Sequence, residues 1–385
     1  MIRYSGERGG VEVRPVAGRR EMRAFLELTR RIYRDDPQWV EPLRGELKKV
    51  LDRSKHPFHQ HAEVEYYLAH RNGEVVGRVA AFVNHRFNEF HESKVGGFGF
   101  FECVDDVAVA RALLAAADGW SRRRGMELIH GPFNFSTNVE FCSPGVLLEG
   151  FEYSPVLLMG HTPAYYAGLL EAGGFRKSKD LLSYWIEGDH PPERLVEGVE
   201  RIRKRQNVTI RPLRVRDLDS DIGRIKEIYH SAWERNWGFV PMTDPEFDYL
   251  AHSIRAVMDP RFCVLAEVEG KPVAFALQLP DLNQVVRHMD GRMFPVGWLK
   301  FLWYRRRVNA ARVLTLGVKP GYRHRGFDSM LIFHLFSESM KAGYSGGECG
   351  WILEDNMPMR RGLERIGGRA YKVYRVYERP VEERP

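Results

Sequence analysis

LGVKPGYRHRGFDSMLIFHL, residues 316–335, reads as the end of a strand, a basic turn bearing a glycine, and the start of a helix. Successive backbone N–H groups at a helix start converge on an anion, and the helix dipole adds positive potential there. Gly326 lets the main chain approach closely or take a positive φ. Arg323 and Arg325 add charge, and a guanidinium suits phosphate oxygens. The turn therefore reads as a cradle for phosphate. Asp328 is at odds with that reading, because a carboxylate in the first turn is a good cap but repels an anion. Either it turns away to cap the helix, leaving the amides of 323–327 to phosphate, or the ligand carries less charge at that point. The first outcome is expected.

Outward from this stretch, the chain repeats itself. VEVRPV at 11–16 returns as VTIRPL at 208–213, and 208 − 11 = 197. YLAHRNGEVVG, from Tyr67, meets VLAEVEGKPVA, from Val264, and 264 − 67 is again 197. LLEAGGF at 169–175 is echoed by GLERIGG at 362–368. Each copy opens with a short β-like segment and an amphipathic helix, at 20–34 and 222–233. A hairpin follows at 62–84, turning at RNG, with its counterpart at 262–279. A central strand then feeds a long helix, and a further strand, a helix ending at a glycine pair and closing strands complete the copy. That order predicts an α/β fold with a mixed sheet in each copy. The boundaries drawn are 1–190, a linker helix at 191–207 with Leu195, Val199 and Ile202 as its apolar stripe, and 208–385.

Bulk properties agree with two domains: the chain has 385 residues, 44% of them hydrophobic and 28% charged. The formal net charge of +7 suits anionic partners without choosing among them. MIRYSGERGG has no apolar stretch behind its charges, so no signal peptide is visible, and no run of about 18 apolar residues predicts a membrane-spanning helix. Cys103, Cys142, Cys263 and Cys349 lie far apart, with no CxxC and no HExxH, so no metal is expected. A cytoplasmic protein with free thiols is predicted.

The turn resembles the acyl-CoA-binding segment of the GNAT superfamily of N-acetyltransferases, whose Arg/Gln-x-x-Gly-x-Gly/Ala stands here as Arg323-His324-Arg325-Gly326-Phe327-Asp328. The likeness runs over about 208–378 and more faintly over the first copy. WILEDNMPMRRGLERIGGRAYKVYRVYER is similar to the same family's fifth strand, fourth helix and closing strands. The resemblance implies two tandem GNAT-like units, each a twisted mixed sheet flanked by helices. It implies CoA diphosphate on the turn and pantetheine along Leu316, Gly317 and Val318, with Arg323, His324, Arg325, Gly326, Phe327, Ser329 and Asn356 completing the cofactor site. The first copy has GFFECVDDVAVA at the matching place, so Asp105 and Asp106 stand at the helix start and CoA binding is not expected there. An acyl carrier protein is the alternative donor that Asp328 leaves open.

A GNAT-like transfer needs a fixed thioester, a polarised carbonyl and a base for the acceptor ammonium. The family's fourth-helix tyrosine is replaced by Leu363, so Tyr371 or Tyr374 would have to supply the acid, although tyrosines in closing strands are more often packing residues. Glu354, then Glu348, are the candidate bases, an even number of residues apart and thus on one face of a regular strand. Asp355 and Asn356 also read as caps of the next helix. In the first copy, GPFNFSTNVEFCSPG at 131–145 offers Asn134, Ser136, Asn138 and Glu140 as a substrate loop, although Asn and Ser also simply make turns. The insertion PDLNQVVRHMDGRMFPVGWLKFLWYRRRVNA sets aromatic residues beside a basic cluster, as a lid over an apolar tunnel or a contact with the inner membrane surface would require. The reading is an N-acyltransferase moving an acyl group from acyl-CoA to an amine. A long acyl chain or lipid-like amine fits the insertion, where the chain is similar to bacterial ceramide-synthase-type N-acyltransferases. A Fem-type transferase using aminoacyl-tRNA and a non-catalytic ligand-binding pair are the rivals. No basic and aromatic RNA-binding pattern is evident, so nucleic acid is not the expected partner.

Overall fold

Both hairpins of the repeat turn on two residues with positive φ: Asn72 (51°) and Gly73 (82°), then Glu269 (51°) and Gly270 (75°). Such turns match the right-handed twist of the strands they join. Arg71 consequently pairs with Glu74, and Val268 with Lys271. In the computed structural model, which describes residues 2–4, 10–187, 190–205, 207–233, 236–255 and 257–381, the chain divides into two compact units.

The first unit comprises Met1–Leu181, Asp290–Pro295 and Lys372–Pro385. In chain order it contains β1 (Ile2–Tyr4), β2 (Val11–Pro15), α1 (Gly18–Ile32), α2 (Arg44–Leu51), β3 (Ala62–Arg71) and β4 (Glu74–Asn84). There follow α3 (His85–Phe90), β5 (Val95–Cys103), α4 (Val107–Arg122), β6 (Leu128–Gly131), β7 (Val146–Glu149), α5 (Tyr166–Ala172) and the start of β8 (Arg176–Glu187). β1 to β5 are antiparallel neighbours in sequence order, and β5 runs parallel to β6. α4 buries Val109, Ala110, Leu113, Leu114 and Ala117 in the core of this unit.

The second unit comprises Leu182–Met289 and Val296–Tyr371. It contains the rest of β8, then α6 (Glu193–Arg205), β9 (Val208–Pro212), α7 (Leu218–Ala232), α8 (Asp244–Arg255), β10 (Cys263–Val268) and β11 (Lys271–Pro280). α9 (Asn283–Val286), α10 (Gly297–Tyr304), β12 (Ala310–Val318), α11 (Phe327–Lys341), β13 (Gly346–Leu353), α12 (Met357–Arg365) and the start of β14 (Arg369–Pro380) follow. Its strand order is β8, β13, β12, β11, β10, β9. Phe327, Met330, Leu331 and Leu335 of α11 recur at three and four spacing and fill the core.

Each unit is thus a mixed sheet flanked by helices, in the repeated order expected. The boundaries differ from those drawn on the sequence. The helix expected as a linker buries Leu195 and Val199 in the second unit's core, so it is a packed element. The remainder of β14, from Lys372, pairs with β6 and β7 and belongs to the first unit, because its Tyr377 packs in that core.

Candidate active site

The opening in the second unit begins with a register irregularity. β11 pairs Leu277 with Thr315 and Gln278 with Val313, so Leu314 is an extra residue on β12. Such a bulge bends its strand and increases the local twist. On its other edge β12 runs parallel to β13, but the pairing lasts only from Ala310↔Gly346 to Val313↔Cys349. Beyond that point the strands part, and Leu314, Thr315 and Leu316 are only half-buried although they lie inside the sheet. A cavity of about 500 Å³ lies there, within the usual range of small-molecule sites. β12 from Val313 to Val318 and β13 from Cys349 to Leu353 line it, with Phe336, Met340 and Leu363 among its apolar walls.

The basic turn forms the mouth. Gly326 caps α11 at φ 83°, and no side chain caps this helix. His324 also takes a positive φ, 61°. Among the described residues, no group accepts from the backbone N–H of Gly326, Phe327 or Asp328. These are the orphan donors that every helix start leaves, in a place where an anion would find them. Asp328 lines the cavity, is exposed and caps nothing. The expected capping role is therefore corrected: Gly326 already occupies the cap position, two residues earlier. Arg323 is exposed and lines the cavity, with one arm of its guanidinium already engaged. Its Nη2 donates to the Ala232 carbonyl at the end of α7, 2.7 Å away, where a cation is favoured by the helix dipole. The Arg325 guanidinium lies 5.2 Å over the Tyr322 ring.

Beneath the fork sits an ion pair. Arg312 and Glu348 are register partners, and their side chains are 1% and 0% exposed with Nε 3.0 Å from Oε2. Arg312 Nη2 also donates to the Gly350 carbonyl at 3.0 Å, and its guanidinium lies 4.7 Å over the Trp351 ring. Cys349 lines the cavity, and burial pushes its thiol well above the usual range, which makes it a poor nucleophile.

The first unit shows what closes such a fork. β5 pairs with β6 only from Val95↔Leu128 to Gly97↔His130, so these strands part as well. Here the 131–145 loop fills the gap. Phe133 N–H donates to the Phe98 carbonyl at 2.8 Å, and Asn134 Oδ1 accepts from Phe100 N–H at 2.6 Å. Gly99 faces the loop so closely that a Cβ would lie 1.9 Å from the Phe133 oxygen. At the start of α4, Asp106 Oδ1 accepts from the amides of Ala108 (2.8 Å) and Val109 (3.1 Å). Its Oδ2 meets Arg71 Nη1 at 2.8 Å, and that bond first of all holds the carboxyl below its ordinary range. A carboxylate thus takes the donors a phosphate would need.

The residues singled out on the sequence are distributed as follows. Leu316, Gly317, Val318, Arg323, His324, Phe327 and Asn356 line the cavity, and Arg325, Gly326 and Ser329 lie in the same turn and first helical turn. Asn356 Oδ1 caps α12 by accepting from Met359 N–H. Glu348 and Glu354 do not share a strand face, because β13 ends at Leu353 and Glu354 lies on the turn beyond it. Its carbonyl accepts from Arg360 Nη1 at 2.7 Å. Tyr371 packs edge-on against Trp185, with centroids 5.9 Å apart. Asn134 plugs the first unit's fork, Ser136 Oγ accepts from Asn138 N–H, Asn138 is buried, and Glu140 lies 3.3 Å from His56 Nε2. Sequence reasoning missed Gln278, which is buried, donates to Ser339 Oγ at 2.7 Å and lines the cavity with it. A single amide in the apolar run VAFALQLP was the available signal. Among the described residues, no group of three or more His, Cys, Asp or Glu is placed to hold a metal ion.

Forked parallel strands, a bulged central strand and a glycine-capped turn, in a chain that repeats their order, define a tandem GNAT-fold protein. Solved structures agree on the fold: a tandem GNAT protein from the clavulanic acid biosynthesis pathway superposes with TM-score 0.58 at 12% identity, over 97% of this chain and 100% of that one. A GCN5-related N-acetyltransferase from Sphaerobacter thermophilus gives 0.54 at 14% identity, over 97% and 96%. No family model matches the chain. Among curated proteins, a bacterial ceramide synthase of Caulobacter vibrioides is 35% identical over 390 residues, covering 98% of this chain and 100% of that protein. Protein YghO of Escherichia coli is 32% identical, covering 99% and 97%. The chain belongs to the family of these two proteins.

Proposed function

We propose that the protein is an N-acyltransferase that moves a long acyl group from acyl-CoA to the amino group of a lipid-like amine. The observation that carries this reading is the open fork of the second unit, which joins a mouth with free backbone donors to an apolar interior. The Caulobacter relative, named a ceramide synthase, supports a lipid amine as acceptor. The amides from His324 to Asp328 hold the diphosphate, and the unpaired edge of β12 from Leu314 to Val318 aligns the pantetheine. The acyl chain extends toward Phe336, Met340 and Leu363. The amine nitrogen attacks the thioester carbonyl, the C–S bond breaks, and the CoA thiol leaves with a proton given up by the acceptor. Glu354, on the turn at the end of β13, is the carboxylate assigned to deprotonate the acceptor ammonium. Glu348 is already neutralised by Arg312 and holds the fork in shape. Asn134, Ser136, Asn138 and Glu140 shape the first unit's loop.

The test is a transfer assay with purified protein, CoA thioesters from acetyl to stearoyl, and a series of amines from lysine to a long-chain amino alcohol. Mass spectrometry follows the amide and a thiol reagent follows free CoA. Amide formation that rises with chain length on both partners is expected. Acetyl transfer alone, or no amide with any pair, overturns the reading. Glu354→Gln is expected to lower kcat while leaving thioester binding unchanged.

A further inference from the structure

The insertion between β11 and β12 carries a feature that acyl transfer does not use. On α10, Trp298, Leu299, Leu302 and Trp303 fall within one arc of about 140° at 3.6 residues per turn. They are 43%, 51%, 47% and 66% exposed. The opposite side holds the helix to its unit: Gly297 is buried, and the Tyr304 ring stacks on His288 with centroids 4.0 Å apart. Val296, just before the helix, is exposed as well. Large apolar side chains gathered on one exposed face mark an interaction surface rather than chance exposure.

The charged side chains that this segment carries, from Gly291 to Phe327, have one sign. Arg305, Arg306 and Arg307 form the exposed 3-10 turn that ends α10, and the Arg307 guanidinium lies 5.6 Å over the Trp303 ring. No aspartate or glutamate occurs between Asp290 and Asp328. A second copy meeting this face through a two-fold axis would set arginine turn against arginine turn. A protein partner would also need hydrogen-bonding groups across the contact, and the arc offers only two indole N–H groups. Tryptophans with arginines beside them suit a layer that is apolar below and anionic above. Among the described residues no helix is long and apolar enough to cross a membrane.

We propose that α10 and the arginine turn dock the protein on an anionic lipid bilayer. Trp298, Leu299, Leu302 and Trp303 enter the boundary between headgroups and acyl chains, and Arg305, Arg306 and Arg307 pair with lipid phosphates. This inference does not depend on the acyl-transfer reading, because docking needs no donor or acceptor.

Flotation of the full chain with vesicles tests it, using phosphatidylethanolamine–phosphatidylglycerol vesicles beside pure phosphatidylcholine ones. The protein is expected to float with the anionic vesicles, less so as salt rises, with a blue shift of tryptophan emission. Trp298→Ser combined with Trp303→Ser should lower partitioning at least about tenfold, since burial of apolar surface supplies much of interfacial binding. Arg305→Gln, Arg306→Gln and Arg307→Gln together should remove the preference for anionic vesicles. All five side chains are exposed, so melting temperatures should match the wild type and show that the variants fold. Failure to float with either vesicle overturns the proposal, as do variants that float like the wild type. Self-association that the tryptophan variant abolishes, or capture of an acidic acyl carrier protein in place of vesicles, overturns it too.

Discussion

Replacing Glu348 by glutamine removes the carboxylate from a guanidinium that has almost no access to water. The Arg312 and Glu348 side chains are 1% and 0% exposed and meet at 3.0 Å. Removing one member of such a pair costs about 3–5 kcal/mol, because the other charge stays buried without its partner. Arg312 keeps the Gly350 carbonyl at 3.0 Å and the Trp351 ring at 4.7 Å, which holds the loss toward the lower end. A loss of about 3 kcal/mol lowers the melting temperature of a domain of this size by roughly 6–12 °C. Thermal and urea unfolding of Glu348→Gln, read by fluorescence, should show that drop. Replacing both residues by leucine should recover most of it, since paired apolar residues often match or exceed a buried ion pair. If Glu348→Gln melts with the wild type while kcat collapses, Glu348 is a base rather than a structural anion. If the double variant is as unstable as the single one, the pair is not the source of the stability.

Three further outcomes follow from the geometry. Gly326→Ala puts a side chain at φ 83°, with its Cβ 2.3 Å from the end of Ile202. It should cost about 1–2 kcal/mol of stability and weaken CoA binding while leaving binding of pantetheine without diphosphate unchanged, by calorimetry. Asp328→Asn should have opposite effects on the two properties. It loses a carboxylate favoured by the α11 dipole, so the melting temperature falls slightly. It also removes a charge that costs about 0.7 kcal/mol per phosphate charge at about 6 Å in water, so CoA should bind about threefold to tenfold more tightly; an unchanged or weaker affinity counts against the diphosphate site. Asp221, buried between Arg211 and Arg224 at 2.8 Å each, has its carboxyl lowered to about 2 despite burial, chiefly by the Arg211 bond. A depressed folded pKa gives stability present above the ordinary carboxylate range and lost as pH falls through the folded value, from about pH 4 to about pH 2. Asp221→Asn should therefore be less stable than the wild type at neutral pH, with the gap closing over that window in urea melts.

The repeat was readable because its turns depend on local chemistry. NG at 72–73 and EG at 269–270 adopt the same two-residue turn, and the strands on either side alternate in step. The glycine of the basic turn was readable for the same reason, since Gly326 takes φ 83°, which a side chain would strain. Roles that depend on distant partners were not. Nothing near Arg323 in sequence indicates that it reaches the end of α7, and Arg312 and Glu348 find each other only through parallel pairing of β12 with β13. The 131–145 loop stands out by its Asn and Ser content, but a loop that lines a pocket and one that plugs a fork have the same composition. Likewise the even spacing of Glu348 and Glu354 assumed a strand longer than β13, which stops at Leu353 because Glu354 and Asp355 already turn into α12.

The most direct measurement is a crystal structure with a non-hydrolysable long-chain acyl-CoA. A donor site in the second unit would hold one molecule per chain, its diphosphate on the amides of 324–328, its pantetheine between the parted ends of β12 and β13, and its acyl chain directed toward Leu363. Diphosphate bound elsewhere, or at the Asp106-capped start of α4, would contradict it.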